Sequence, residues 1–187
     1  MPFVKSMPDD ASAVDVFAAH PAIYQPWVQT INAIMRGPSS LSHKEREIIA
    51  VYTSGLNECQ YCRGGHAFIA ESLGVSHETI EDLLGDIDQA RVDERLKPVL
   101  RYIRKLTLTP HRMTQADADA VFDAGWDEKA FHDAIAVCCL FSFMNRLVGG
   151  FGILPGPQSD SPEAAEAART LDYSAMIGSA LAARGHG

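Results

Sequence analysis

The chain has 187 residues, 47% of them apolar and 21% charged, with a formal charge of −8 and a pI near 5.3. That length fills one hydrophobic core and falls short of two. The acidic balance argues against nucleic acid or an anionic membrane as partner, because both repel it.

The opening stretch "MPFVKSMPDDASAVDVF" carries early acids and no uninterrupted apolar run, so it does not read as a signal peptide and the expected location is the cytoplasm. Four cysteines are too few for a disulfide framework. In a reducing compartment a Cys-x-x-Cys pair is more often redox-active or metal-binding than structural.

Strand signals are nearly absent, and helix punctuation is frequent. The pattern predicts an all-α fold of about eight helices, over 10–18, 22–35, 42–55, 58–73, 77–84, 93–107, 115–122 and 128–147. "RGPSS" at 36–40 separates the second from the third. Ser42 and Glu45 form a capping box at the start of the third helix, and Thr114 with Asp117 repeats the logic further on. Ser76 and Asp127 stand at N-cap positions. Two capped helices, each followed by a second helix, give a weak internal echo of duplicated hairpins.

The 128–147 segment is apolar on nearly all sides and belongs in the middle of the bundle. Its stretch "AIAVCCLFSFM" is too short to span a bilayer. Cys138 and Cys139 lie roughly 100° apart around that helix, cannot share one site, and read as core residues. Asn145 and Arg146 read as structural hydrogen-bonding residues. "GGFGILPG" is no phosphate loop, since Pro155 stands where a final glycine belongs and the run follows a helix. The Ala-rich segment 156–187 is set apart from the 1–155 domain and is expected to be helical, docked at a subunit interface, with a frayed end.

The chemistry concentrates in "NECQYCRGGHAF", residues 57–68. On a helix, Cys59, Cys62 and His66 fall on one stripe. Cys59 lies in the first turn, where orphan N–H groups favour a thiolate. Cys62 and His66 are one turn apart, close enough to share a proton. A helical pair at this spacing has Cβ atoms about 5–6 Å apart, whereas a relaxed disulfide wants about 3.8 Å. Such a bridge is strained and readily reduced, which favours catalysis over stapling. A histidine base needs a carboxylate behind it. Glu58 points elsewhere and Glu71 misses the face, so Glu47 on the preceding helix is the candidate. Gly64 and Gly65 open space beside the thiols. A zinc site lacks a fourth ligand, so no metal is expected.

Glu47, Cys59, Cys62 and His66 in this spacing resemble the E-x11-C-x2-C-x3-H signature of the alkyl hydroperoxide reductase D (AhpD)-like family, within the carboxymuconolactone decarboxylase-like superfamily. The wider stretch from His20 to His66, with "FMNRLVGGFGI" downstream, looks like its peroxidase-related subgroup. The resemblance implies an all-helical homotrimer or homohexamer that reduces peroxides with no bound cofactor, using an external dithiol, lipoyl or thioredoxin-like donor. It implies Cys62 as the attacking thiol, Cys59 as the resolving one, and His66 with Glu47 as a proton relay. Tyr61 stands where AhpD has a second histidine; a phenol is a poor base at neutral pH, so Tyr61 is expected only to orient a hydrogen bond. Two alternatives stay open: a non-enzymatic redox sensor or assembly protein, and a lactone decarboxylase, a branch that lacks this cysteine pair.

Overall fold

The computed structural model describes residues 1–156 and 161–184. Among the described residues ten α-helices follow one another, with no strand. They are α1 (Ala13–Ala19), α2 (Pro21–Arg36), α3 (His43–Leu56), α4 (Gln60–Ser72), α5 (His77–Leu84), α6 (Leu96–Leu108), α7 (Gln115–Asp123), α8 (Glu128–Phe151), α9 (Pro162–Arg169) and α10 (Tyr173–Arg184), with a 3₁₀ turn at Pro110–Arg112.

The caps explain the starts. Ser42 Oγ accepts the Glu45 N–H at 3.2 Å while Glu45 Oε2 takes the Ser42 N–H at 2.7 Å, satisfying two orphan donors at the head of α3. Asp117 Oδ2 takes the Thr114 N–H at 2.7 Å, and Asp127 Oδ1 accepts from Ala130 N at 2.7 Å to start α8. A further box, Ser12 with Asp15, begins α1 at Ala13 rather than at residue 10.

α3 is the most enclosed element: every residue from Arg46 to Ser54 is buried. α4, α8, α6, α5 and α2 surround it. α8 runs beyond 147, through Gly149 and Gly150, and stops where Gly152 turns left-handed at φ 68°. That extension makes it 24 residues long, enough by length and composition to cross a membrane. In this fold it lies along α3 and α6, with α2, α4 and α7 also against it. It is not wholly internal: Cys138 is buried, but Cys139 is exposed, against the expectation that both are core residues, and Phe143 is 42% exposed.

The C-terminal segment, expected to be helical, carries two helices among the described residues. α9 packs on α4, and α10 packs along α2 and α1. The frayed end expected at 185–187 lies outside the described residues.

Candidate active site

The site is built behind the α3–α4 hairpin. The turn between these helices is tight: Asn57 caps α3, Glu58 takes a left-handed φ of 56°, and the Cys59 N–H donates to Ser54 O at 2.9 Å. Cys59 is therefore the N-cap of α4, with φ −85° and ψ 92°, and not a residue of its first turn. Cys62 and His66 do lie on the helix, one turn apart.

Folding α4 back along α3 brings His66 onto Glu47. Nδ1 of His66 meets Glu47 Oε2 at 2.6 Å. Glu47 is fully buried, yet three groups serve its carboxylate. Besides His66, Arg36 Nη2 forms an ion pair with Oε1 at 2.7 Å, and the Tyr173 hydroxyl donates to Oε1 at 3.2 Å. Burial pushes the Glu47 carboxyl up, but the charges and hydrogen bonds of His66 and Arg36 outweigh it and hold the group below its ordinary value. With Nδ1 engaged by the carboxylate, Nε2 is the ring nitrogen left for chemistry. Glu71, which misses the His66 face, pairs instead with His77 at 2.9 Å.

The thiols share one proton unequally. Cys59 is lowered to about 6, chiefly by the hydrogen bond from the Cys62 thiol, against a penalty from partial burial. The Cys62 N–H, the Asn145 amide and the Tyr61 N–H add to the lowering. Cys59 makes no short cap bond such as an oxygen side chain would make, but its sulfur faces the orphan N–H groups of the helix start. Cys62 is raised by donating to Cys59, by burial and by the Cys59 charge. In the reduced pair Cys59 is the acidic thiol, and Cys62 carries the proton. The chief cause is the hydrogen bond between the two thiols, which favours the Cys59 thiolate; the N–H groups at the head of α4 favour it further, and deeper burial keeps the proton on Cys62.

Asn145 holds the hairpin turn from α8. Its Oδ1 accepts from Asn57 Nδ2 at 3.0 Å, and its Nδ2 donates to Ser54 Oγ at 3.1 Å, so the amide orientation is fixed and its N–H₂ faces the thiols. Tyr61 is not a base: its hydroxyl accepts the Ala13 N–H at 3.1 Å, tying α4 to α1, and burial raises its pKa.

Cys62, His66, Tyr61 and Gly65 form one wall of a cavity of about 400 Å³. The other walls are mostly apolar, from Phe17 and Ile31, Phe141 and Met144, and Leu171 with Ile177, with Asp10, Ser12 and Tyr173 as polar members. Phe141 packs edge-on against the His66 ring at 4.4 Å. A methyl group added at Gly65 would meet no atom within 4 Å, so the glycine widens this cavity. Among the described residues, no group of three His, Cys, Asp or Glu is placed to hold a metal ion.

Sequence reasoning therefore named Glu47, Cys59, Cys62, His66 and Tyr61, which the fold brings into one neighbourhood, and missed Arg36 and Tyr173. Two signals were available. Arg36 is a basic residue at the very end of a helix, and Tyr173 is the sole aromatic residue after Phe151.

The sequence model of the carboxymuconolactone decarboxylase family matches residues 21–105. No curated protein matches the chain significantly. Among solved structures, an uncharacterized peroxidase-related protein from Silicibacter sp. TM1040 superposes with a TM-score of 0.71 at 26% identity, over 76% of this chain and 75% of that one. An uncharacterized peroxidase-related protein from Ralstonia eutropha JMP134, described as an alkylhydroperoxidase AhpD core, gives 0.70 at 24% identity, over 75% and 74%. A debrominase shares the fold at 14% identity, with a TM-score of 0.68 over 83% and 79%. The matched segment contains the hairpin that carries Glu47, Cys59, Cys62 and His66, so it is over this hairpin that the chain is similar to the carboxymuconolactone decarboxylase family.

Proposed function

We propose that the protein is a thiol-dependent peroxidase that reduces hydroperoxides through the Cys59–Cys62 pair. The observation that carries this reading is the placement of Cys62 and His66 on one wall of a mostly apolar cavity, with Glu47 bonded to the far nitrogen of the imidazole. A buried carboxylate, a histidine and a thiol in sequence form a path for one proton.

The reaction starts from Cys59 thiolate and Cys62 thiol. His66 Nε2 takes the Cys62 proton, and the Cys62 sulfur attacks the terminal oxygen of the hydroperoxide. The O–O bond breaks, Cys62 becomes a sulfenic acid, and the departing alkoxide takes the proton from His66 to leave as an alcohol. Cys59, already a thiolate, attacks the Cys62 sulfur; the disulfide forms and hydroxide leaves, to be neutralised by solvent. An external dithiol, lipoyl or thioredoxin-like, then exchanges with the disulfide and restores both thiols. The acidity of Cys59 fits the resolving role, since it needs no base at that step. No bound cofactor enters the cycle. The resemblance to AhpD adds the expectation of a homotrimer or homohexamer acting in the cytoplasm.

Turnover tests this. With cumene hydroperoxide and dihydrolipoamide in excess, the protein should oxidise many equivalents of dithiol. Cys59→Ser should stop cycling after a single oxidation of Cys62, and Cys62→Ser should abolish peroxide consumption. A protein that oxidises once and stops, although the donor reduces its disulfide, is a sensor and not a peroxidase.

A further inference from the structure

We propose that Tyr173 is a positioning residue of the Glu47–His66 pair, delivered to the site by the C-terminal helix. The geometry stands by itself; only the rate measurement below rests on the peroxidase reading.

The phenol is aimed, not merely packed. Its hydroxyl reaches Oε1 of Glu47 at 3.2 Å, beside Arg36 Nη2 at 2.7 Å on the same oxygen, while His66 Nδ1 holds Oε2 at 2.6 Å. Tyr173 is 6% exposed and Glu47 fully buried. At that depth a missing donor is not replaced by water. Two hydrogen-bond partners, His66 and Tyr173, and one ion-pair partner, Arg36, stand on three different helices and leave the carboxylate one orientation that serves them all.

Tyr173 is itself anchored by contacts that owe nothing to its hydroxyl. Its N–H donates to Asn32 Oδ1 at 3.1 Å on α2. The Arg36 guanidinium lies over its ring at 4.9 Å, and Arg36 Nε holds Leu171 O at 3.0 Å. The ring is stacked near His66, with centroids 6.2 Å apart and planes 20° from parallel. A phenylalanine would keep these contacts, so the hydroxyl is what remains to be explained.

The chemical consequence follows from sharing. A carboxylate that spends Oε1 on Tyr173 and Arg36 offers less negative charge through Oε2 to the imidazole. Removing the phenol returns that charge to the Nδ1–H···Oε2 bond and strengthens it. The charged and titratable groups around this carboxylate are Arg36 on α2, His43 and Arg46 on α3, His66 on α4 and Tyr173 on α10, with Cys62 and Tyr61 of α4 on the same cavity wall as His66; α8 presents Phe141. None of the others changes in the variants below.

The test is Tyr173→Phe in the full chain, read by the proton resonance of His66 Nδ1–H, assigned by its loss in His66→Gln. The resonance should move downfield, and the acid limb of the turnover pH profile should move up by about half a unit to one unit. Site-specific 3-fluorotyrosine at 173 keeps ring and hydroxyl, strengthens the donor, and should move both readings the opposite way; it serves as well if Tyr173→Phe fails to fold. A resonance unmoved in the folded variants overturns the proposal, and a loss of melting temperature with no such movement assigns Tyr173 to packing alone. If the resonance moves but wild-type protein turns over no peroxide, positioning stands and the peroxidase reading falls.

Discussion

At the scale of single residues, the decisive question is where the last proton of the reduced thiol pair sits. Both thiols start from an ordinary value of 9.0; Cys59 falls to about 6 and Cys62 rises. Between pH 6 and 9 the folded pair therefore binds fewer protons than the unfolded chain, and stability rises with pH across that window. Above 9 the unfolded chain has lost both protons while Cys62 keeps its own, so the contribution falls again. The reduced protein should show this rise and fall in melting temperature, and Cys59→Ser should remove the rise. Because Cys59 is only half-buried, solvent screening reduces the size of the effect. Alkylation of Cys59, followed by mass spectrometry to separate it from exposed Cys139, should have its midpoint near 6. Cys62→Ala deletes the thiol donor and should move that midpoint upward. A midpoint unchanged in that variant would assign the acidity to the helix N-terminus alone.

At the scale of elements, the α3–α4 hairpin carries the chemistry, and much of it was legible in the chain. Capping boxes are local, so Ser42 with Glu45 marked the start of α3 from four residues of sequence. Glu47 and His66 are 19 residues apart, joined by one hairpin, which is short enough for helical periodicity to align them. The turn itself was not legible. Glu58 adopts a left-handed conformation that usually calls for Gly or Asn, so nothing in "NECQ" announced that α4 begins only after Cys59. Two substitutions of opposite sign test this account by urea denaturation. Ser42→Ala should cost about 1 kcal/mol by stripping the α3 cap. Glu58→Gly should stabilise by about 0.5–1 kcal/mol, since relief of the left-handed strain exceeds the entropy glycine adds to the unfolded chain. Glycine takes the same φ, so the Cys59 alkylation midpoint should stay where it is.

At the scale of the whole molecule, the site is closed by pieces that no local pattern connects. Tyr173 meets Glu47 across 126 residues, and Leu171 is held by Arg36 across 135. An Ala-rich tail reads as a peripheral helix because its periodicity says which face is apolar and nothing about which cavity that face covers. Folding back over α1 and α2 brings α10 into the lining of the cavity that Cys62 also lines, and Ile177 from α10 is nearly inaccessible there. A cavity of about 400 Å³ lined by Phe17, Phe141 and Ile177 has room for an apolar body; on the proposed peroxidase reading an organic hydroperoxide fills it, and hydrogen peroxide leaves it mostly empty. Ile177→Ala removes part of the wall without touching Glu47, His66 or either thiol. The KM for cumene hydroperoxide should rise on the order of tenfold, while kcat/KM for hydrogen peroxide changes by less than about twofold. An equal loss for the two peroxides would place the organic body outside this cavity. A selective loss would show that the C-terminal helix sets what the thiols meet.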